Sequence, residues 1–189
     1  AIRRQRQMCI RDRANILAGK VNPSAKLPIS IPRHSGQIQM IYNHKPSQYF
    51  HKYIDGPSTP LYPFGFGLSY TRFAYSSLKL SHTRISDKDS FTASIELTNV
   101  GDREGTEVVQ LYIRDIYSSA TRPVKELKDF ARVTLKPGEK KTVTFTVTPD
   151  KLAFYDKKMK KIVEPGEFIV MVGASSDDKD LLKDSFFVK

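Results

Sequence analysis

The chain has 189 residues, of which 39% are hydrophobic and 27% charged, with a net charge of +11, enough for one generous domain with extra segments. No run approaches the roughly 18 unbroken apolar residues of a membrane-spanning helix, and a single Cys excludes an intramolecular disulfide framework and a Cys-based zinc site. The positive charge invites a nucleic-acid reading, but its distribution argues against one.

Residues 1–13 carry five Arg against Asp12, residues 14–73 six Lys or Arg against Asp55, and residues 74–189 twenty Lys or Arg against eighteen Asp or Glu. The long C-terminal part is therefore nearly neutral. The first thirteen residues show neither helix nor strand periodicity. Written as codons, CGT CGG CAG CGT CAG ATG TGT ATA AGA GAC followed by AGA or AGG spells Arg3 to Arg13 without a mismatch. That DNA resembles a transposase adaptor used for sequencing libraries. Residues 1–13 are therefore expected to be translated adaptor, disordered and packed against nothing, and to lie outside any fold reasoning. The natural polypeptide is then expected to continue upstream. Without these residues the net charge falls to +7, and no nucleic-acid partner is expected.

Ala14 to Ala18 reads as the end of a helix with Gly19 as its cap, and Asn22-Pro23-Ser24 is turn chemistry. Leu27–Ile31, pinned between Pro28 and Pro32, fits only an edge strand. Residues 14–33 thus look like the close of a domain whose body is not present. Residues 34–73 are rich in Pro and Gly, yet they hold nine of the twenty aromatics (Tyr42, Tyr49, Phe50, Tyr53, Tyr62, Phe64, Phe66, Tyr70 and Phe73). A flexible linker is polar, so this connector is expected to lie ordered against a surface. The following domain can take up Tyr70 and Phe73. It is too small to cover the rest, so several of them should be exposed.

From residue 74 the period becomes two, with turn signals between runs. Strands are predicted at Ser76–Leu80, Phe91–Thr98, Val108–Arg114, Leu127–Leu135, Val143–Val147, Phe168–Val172 and Ser185–Val188, with a short hairpin within Ala153–Val163. Val108–Arg114 is more continuously apolar than the others. About seven strands without a helical window imply an all-β sandwich of immunoglobulin or fibronectin type III size, and the lack of a Cys–Trp–Cys pattern favours the fibronectin-like variant.

Three motifs carry a family resemblance. Asn22-Pro-Ser-Ala-Lys-Leu-Pro28 resembles the segment closing the α/β sandwich domain of glycoside hydrolase family 3, with Ala25 where that family usually has Gly. The turn at Ala25 must then avoid a left-handed conformation or carry strain. Leu61-Tyr-Pro-Phe-Gly-Phe-Gly-Leu-Ser-Tyr-Thr71 resembles the family's connector. Glu107–Asp115, Arg122–Phe130 and Leu135–Glu139 resemble the fibronectin type III-like domain of its β-glucosidases and β-xylosidases. The likeness spans residues 14–189, divided as 14–33 (end of the α/β domain), 34–73 (connector) and 74–189 (sandwich).

The resemblance implies the C-terminal, stabilising part of a retaining exo-acting hydrolase of terminal β-linked sugars, β-glucosidase first and β-xylosidase next. The family's nucleophile and acid/base lie in regions that are not matched here. Retaining hydrolysis needs two carboxyls about 5 Å apart. Residues 14–73 hold only Asp55, and the eighteen carboxylates of the sandwich fall at strand and turn positions expected to be solvated. No catalytic, cofactor-binding or metal-ligating residue is therefore expected, no cofactor, and no activity from the chain alone. Its expected partners are the upstream barrel and α/β domains and, for the parent, an oligosaccharide or β-glycoside substrate; a homodimer is compatible, and a secreted or bacterial periplasmic location is implied. Local readings favour turn chemistry for Asp55, packing or capping for His44 and His51, and a solvated hairpin for Lys157–Lys161. The alternative is an autonomous carbohydrate-binding or protein-interaction module, which requires exposed aromatics among Tyr112, Tyr117, Phe154 and Tyr155.

Overall fold

The computed structural model describes residues 9–37, 40–46 and 56–189. The alternating runs become strands β1 (Phe73–Leu80), β2 (Arg84–Ile85), β3 (Phe91–Asn99), β4 (Gly105–Asp115), β5 (Glu126–Leu135), β6 (Lys140–Val147), β7 (Phe154–Tyr155), β8 (Lys161–Ile162), β9 (Gly166–Gly173) and β10 (Leu181–Val188). A three-stranded sheet, β1-β3-β6, packs on a five-stranded sheet, β2-β10-β9-β4-β5, and β7-β8 make a separate hairpin. All pairings are antiparallel except β2 with β10. Seven of the strands have eight residues or more, the count that the alternation predicts.

The core lies between the two sheets. On β3, Phe91, Ala93, Ile95 and Leu97 are buried while Thr92, Ser94, Glu96 and Thr98 are half-exposed. Opposite them stand Val109, Leu111 and Ile113 of β4, Phe168 and Val170 of β9, and Phe186 of β10. Each fully buried apolar side chain of this size contributes about 1.5–3 kcal/mol. The turn between β5 and β6 uses Gly138 at φ +76°, and its amide donates to the Asn99 carbonyl.

Several elements differ from the sequence reading. β1 starts at Phe73 rather than Ser76, because Phe73 and Tyr75 already pack on the core. Ser77 sits at φ 56° where the β1–β3 register shifts, and this bulge turns Tyr75 and Leu78 to the same side. The helix expected at Ala14–Ala18 is α1 (Ile10–Leu17), so residues 10–13 form its first turn rather than a disordered stretch. None of its residues is buried, Cys9 and Ile10 are exposed, and Gly19 follows its C-cap at φ 69°. A one-turn helix, α2 (Pro149–Leu152), follows β6. Lys157–Lys160 form the exposed tip of the β7–β8 hairpin, where the amides of Lys158 and Lys160 donate to the Asp156 carboxylate.

Candidate functional site

The residues ahead of the sandwich are clasped to it by polar side chains. Asn22 Oδ1 accepts from Ser69 Oγ at 2.9 Å and from the Tyr70 amide at 2.8 Å, while its Nδ2 donates to the Glu104 carbonyl. One side chain thus joins the first motif, the connector and the β3–β4 loop. Lys26 Nζ lies 2.7 Å from Glu107 Oε1 in a nearly buried ion pair, and Arg132 donates to Ser24 Oγ. Ala25 is not among the described positive-φ residues, so its turn avoids the left-handed region. Leu27–Ile31 pairs with the connector: the Leu27 amide bonds to the Phe66 carbonyl, the Gly65 amide to the Leu27 carbonyl, and Ile31 bridges to Tyr62.

Two further clasps involve glycines. Thr71 Oγ1 donates to buried Asn99 Oδ1 at 2.6 Å, and Asn99 Nδ2 donates to the carbonyls of Arg103 and Leu135. A Cβ on Gly105 would meet Thr71 Cγ2 at 2.5 Å and Asn22 Nδ2 at 2.8 Å. Gly65, at φ +79°, lies against Gln110, whose Nε2 donates to the carbonyls of Gly65 and Ala174 while its Oε1 accepts from the Tyr112 hydroxyl.

These bonds close the outer face of the five-stranded sheet. Tyr112, Met171 and Leu181 form a second buried cluster there, with Tyr42, Phe64, Leu127 and Ile169 packed on it. The Tyr42 and Phe64 rings stack at 4.2 Å, and Tyr42 meets Tyr112 edge-on at 5.9 Å. Tyr112 therefore belongs to a core, and burial pushes its phenol well above the ordinary value. Beside this cluster is a cleft of about 980 Å³, lined by Arg33, Tyr42, Arg114, Lys125, Met171 and Lys183 among others.

Several apolar side chains ahead of the sandwich stay exposed. Leu17, Val21, Ile29, Leu61, Tyr62, Leu68 and Tyr70 are exposed, Leu17 by 83% and Leu68 by 74%. Tyr70 was expected to be taken up by the sandwich and is not; its hydroxyl donates to the Ile16 carbonyl and Arg103 lies over its ring. Tyr49, Phe50, His51, Tyr53 and Asp55 fall outside the described residues. His44 is half-buried, and its carbonyl accepts from the Val124 amide. Of the four aromatics a sugar-binding module would need, Tyr112 is buried and Phe154 is half-buried under Arg122, while Tyr117 and Tyr155 are exposed.

Two sandwich carboxylates are not solvated as expected. Glu107 is buried with Lys26 as partner. Asp115 is buried near Arg122, and desolvation raises its pKa to about 6 against the lowering pull of that guanidinium. Both side chains point inward from β4, so each meets a cation supplied from outside that strand.

Comparison with known proteins decides the relationship. The model of the glycosyl hydrolase family 3 C-terminal domain matches residues 10–70, and that of the fibronectin type III-like domain matches residues 107–176. The chain belongs to glycoside hydrolase family 3. It is 47% identical over 173 residues to a periplasmic β-glucosidase of Salmonella typhimurium, covering 86% of this chain and 23% of that protein. It is 48% identical over 179 residues to a β-xylosidase of Formosa agariphila, covering 93% of this chain and 25% of that protein. A crystal structure of a β-glucosidase from Listeria innocua in complex with glucose superposes with a TM-score of 0.86 at 38% identity, over 93% of this chain and 26% of that one. The chain thus spans about a quarter of the length of these relatives and corresponds to the family's C-terminal region.

Proposed function

We propose that the chain is the C-terminal accessory part of a retaining exo-acting β-glycosidase, a β-glucosidase in the first place and a β-xylosidase in the second, and that it does not itself carry the catalytic pair. The match to the family's C-terminal domain, over about a quarter of the relatives' length, carries this reading. Retaining hydrolysis needs two carboxyls about 5 Å apart, whereas Glu107 and Asp115 stand at the two ends of β4, about 27 Å apart at the rise of an extended strand. Glu107 is paired with Lys26, and Asp115 and Glu126, the two carboxylates that do approach each other, are bridged by the Arg122 guanidinium.

The proposed role is to hold the sandwich firmly to the upstream domains. The exposed apolar side chains of Leu17, Val21, Ile29, Leu61, Tyr62 and Leu68 supply the surface, and the clasps transmit the attachment to the sandwich. A flexible tether would need neither. The proposed partners are therefore the upstream barrel and α/β domains, with a β-glycoside as substrate of the whole; a homodimer is compatible with this. The printed name of the Salmonella relative supports a periplasmic or secreted location. Residues 1–13 are proposed to be translated adaptor, and 14–33, 34–73 and 74–189 to be the three natural parts.

Aryl β-glucoside hydrolysis tests the reading. The purified chain should show no turnover after removal of contaminating glycosidases. Turnover that persists, and that is lost on replacing a carboxylate within residues 74–189, would contradict it.

A further inference from the structure

Asp115 ends β4 with its side chain only 2% exposed, and neither carboxylate oxygen has a hydrogen-bond partner. Its nearest cation is Arg122, with Nη1 at 3.7 Å from Oδ2. That guanidinium is committed elsewhere: its Nη2 lies 2.6 Å from Glu126 Oε2 on β5, its Nη1 reaches the Leu152 carbonyl of α2, and its plane lies over the Phe154 ring of β7. Lys128 of β5 neutralises Glu126 from the other side at 3.2 Å. Glu164, between β8 and β9, adds a further negative charge that opposes ionisation of Asp115, whereas the Tyr117 amide favours the ionised form without reaching full hydrogen-bond geometry.

The residues after Asp115 tie the end of the sandwich to its surroundings. The Ser119 amide donates to Glu164, the Val124 amide to the His44 carbonyl of the connector, and Lys125 Nζ to the Ser176 carbonyl. Between these ties Tyr117 is 79% exposed. One guanidinium thus stands between two carboxylates at the root of the β4–β5 loop, and the more buried of the two has only a long ion pair to it and no hydrogen bond.

We propose that Asp115 and Arg122 form a proton-controlled latch on residues 116–125: the loop closes over a neutral Asp115 and loosens when Asp115 ionises. A buried carboxylate without donors is costly, and opening the loop admits water to it. Burial raises the carboxyl from 3.8 to about 6 in the closed form. A raised carboxyl gives stability that is fully present below its open-form value and is lost as pH rises through about 6. The loop should therefore tighten in mild acid, the reverse of an ordinary acid-sensitive ion pair. The latch couples external pH to the grip of the sandwich end on the connector.

Amide hydrogen exchange of the 189-residue chain, corrected for intrinsic rates, tests the latch. Between about pH 5 and about pH 7.5, protection of residues 116–125 should fall about tenfold, the change that linkage gives for these two pKa values, while β3 and β9 keep theirs. Asp115→Asn should hold its protection across that range. Protection that is flat or rises with pH, or that falls equally in Asp115→Asn, would overturn the proposal. Should that variant not fold, NMR of the wild-type chain decides: the Asp115 carboxyl carbon and the amides of residues 116–125 should titrate together with a midpoint near 6, and a carboxyl midpoint at the ordinary 3.8, or loop amides that do not follow it, would overturn the proposal.

Discussion

Lys26 Nζ and Glu107 Oε1 lie 2.7 Å apart and nearly buried, joining a motif ahead of the sandwich to the start of β4. Removing one member of such a pair leaves an uncompensated buried charge, at about 3–5 kcal/mol. Lys26→Met should therefore lower urea stability by about 3 kcal/mol. Adding Glu107→Gln should restore a large part, because the stranded charge is gone. If the double variant is as unstable as the sum of the singles, the two residues act independently and the clasp is misassigned.

Gly65 and Gly138 both have positive φ, +79° and +76°, but only one is crowded. A Cβ on Gly65 would fall 2.1 Å from Gln110 Oε1, and one on Gly138 meets nothing within 4 Å. Gly138→Ala should cost only the conformational term of about 1–2 kcal/mol. Gly65→Ala should cost clearly more, since it also displaces the Gln110 amide from its two carbonyl acceptors. Thermal unfolding of the two variants side by side checks this, and equal losses would contradict the close approach of connector and β4.

Phe64 and Phe66 are neighbours with different surroundings. Phe64 stacks on Tyr42 over the outer cluster of the five-stranded sheet, whereas Phe66 stacks on exposed Tyr62 at 5.0 Å. In the isolated chain Phe64→Ala should cost about 2–4 kcal/mol, as a partly buried core aromatic, and Phe66→Ala well under half of that. In the complete family 3 polypeptide the gap should narrow, because Phe66 and Tyr62 gain a covering surface. Both replacements should lower the unfolding temperature there before they alter sugar preference. Unchanged stability with changed preference would place these side chains at the substrate instead.

The sandwich was legible because one face of each strand is wet: Thr-Val-Thr-Phe-Thr-Val on β6 and Phe-Thr-Ala-Ser-Ile-Glu-Leu-Thr on β3 state which side is buried. On β4 the alternation fails, and Val108 to Ile113 is apolar apart from Gln110. That run signals a strand covered on both faces, but it does not say by what. The cover is Tyr42 and Phe64, residues whose aromatic density was visible and whose destination was not. The Lys26–Glu107 and Asp115–Arg122 pairs were not legible, because a charged residue at an inward strand position has no local sign of the cation that will meet it. Tyr70 departs from expectation for a related reason: its hydroxyl donates to the Ile16 carbonyl, and its ring stays 43% exposed with only Arg103 over it.

The central claim is that the exposed apolar residues Leu17, Ile29, Leu61, Tyr62 and Leu68 dock onto the rest of a family 3 protein. Side-chain footprinting by hydroxyl radicals, run on the isolated chain and on the complete polypeptide, reads it directly. Leu17, Ile29, Leu61, Tyr62 and Leu68, all exposed in the chain, should become strongly protected in the complete protein, while Tyr117 and Tyr155 at the hairpin end of the sandwich keep their reactivity. Equal reactivity of the first set in both forms would show that the surface meets nothing and would contradict the account.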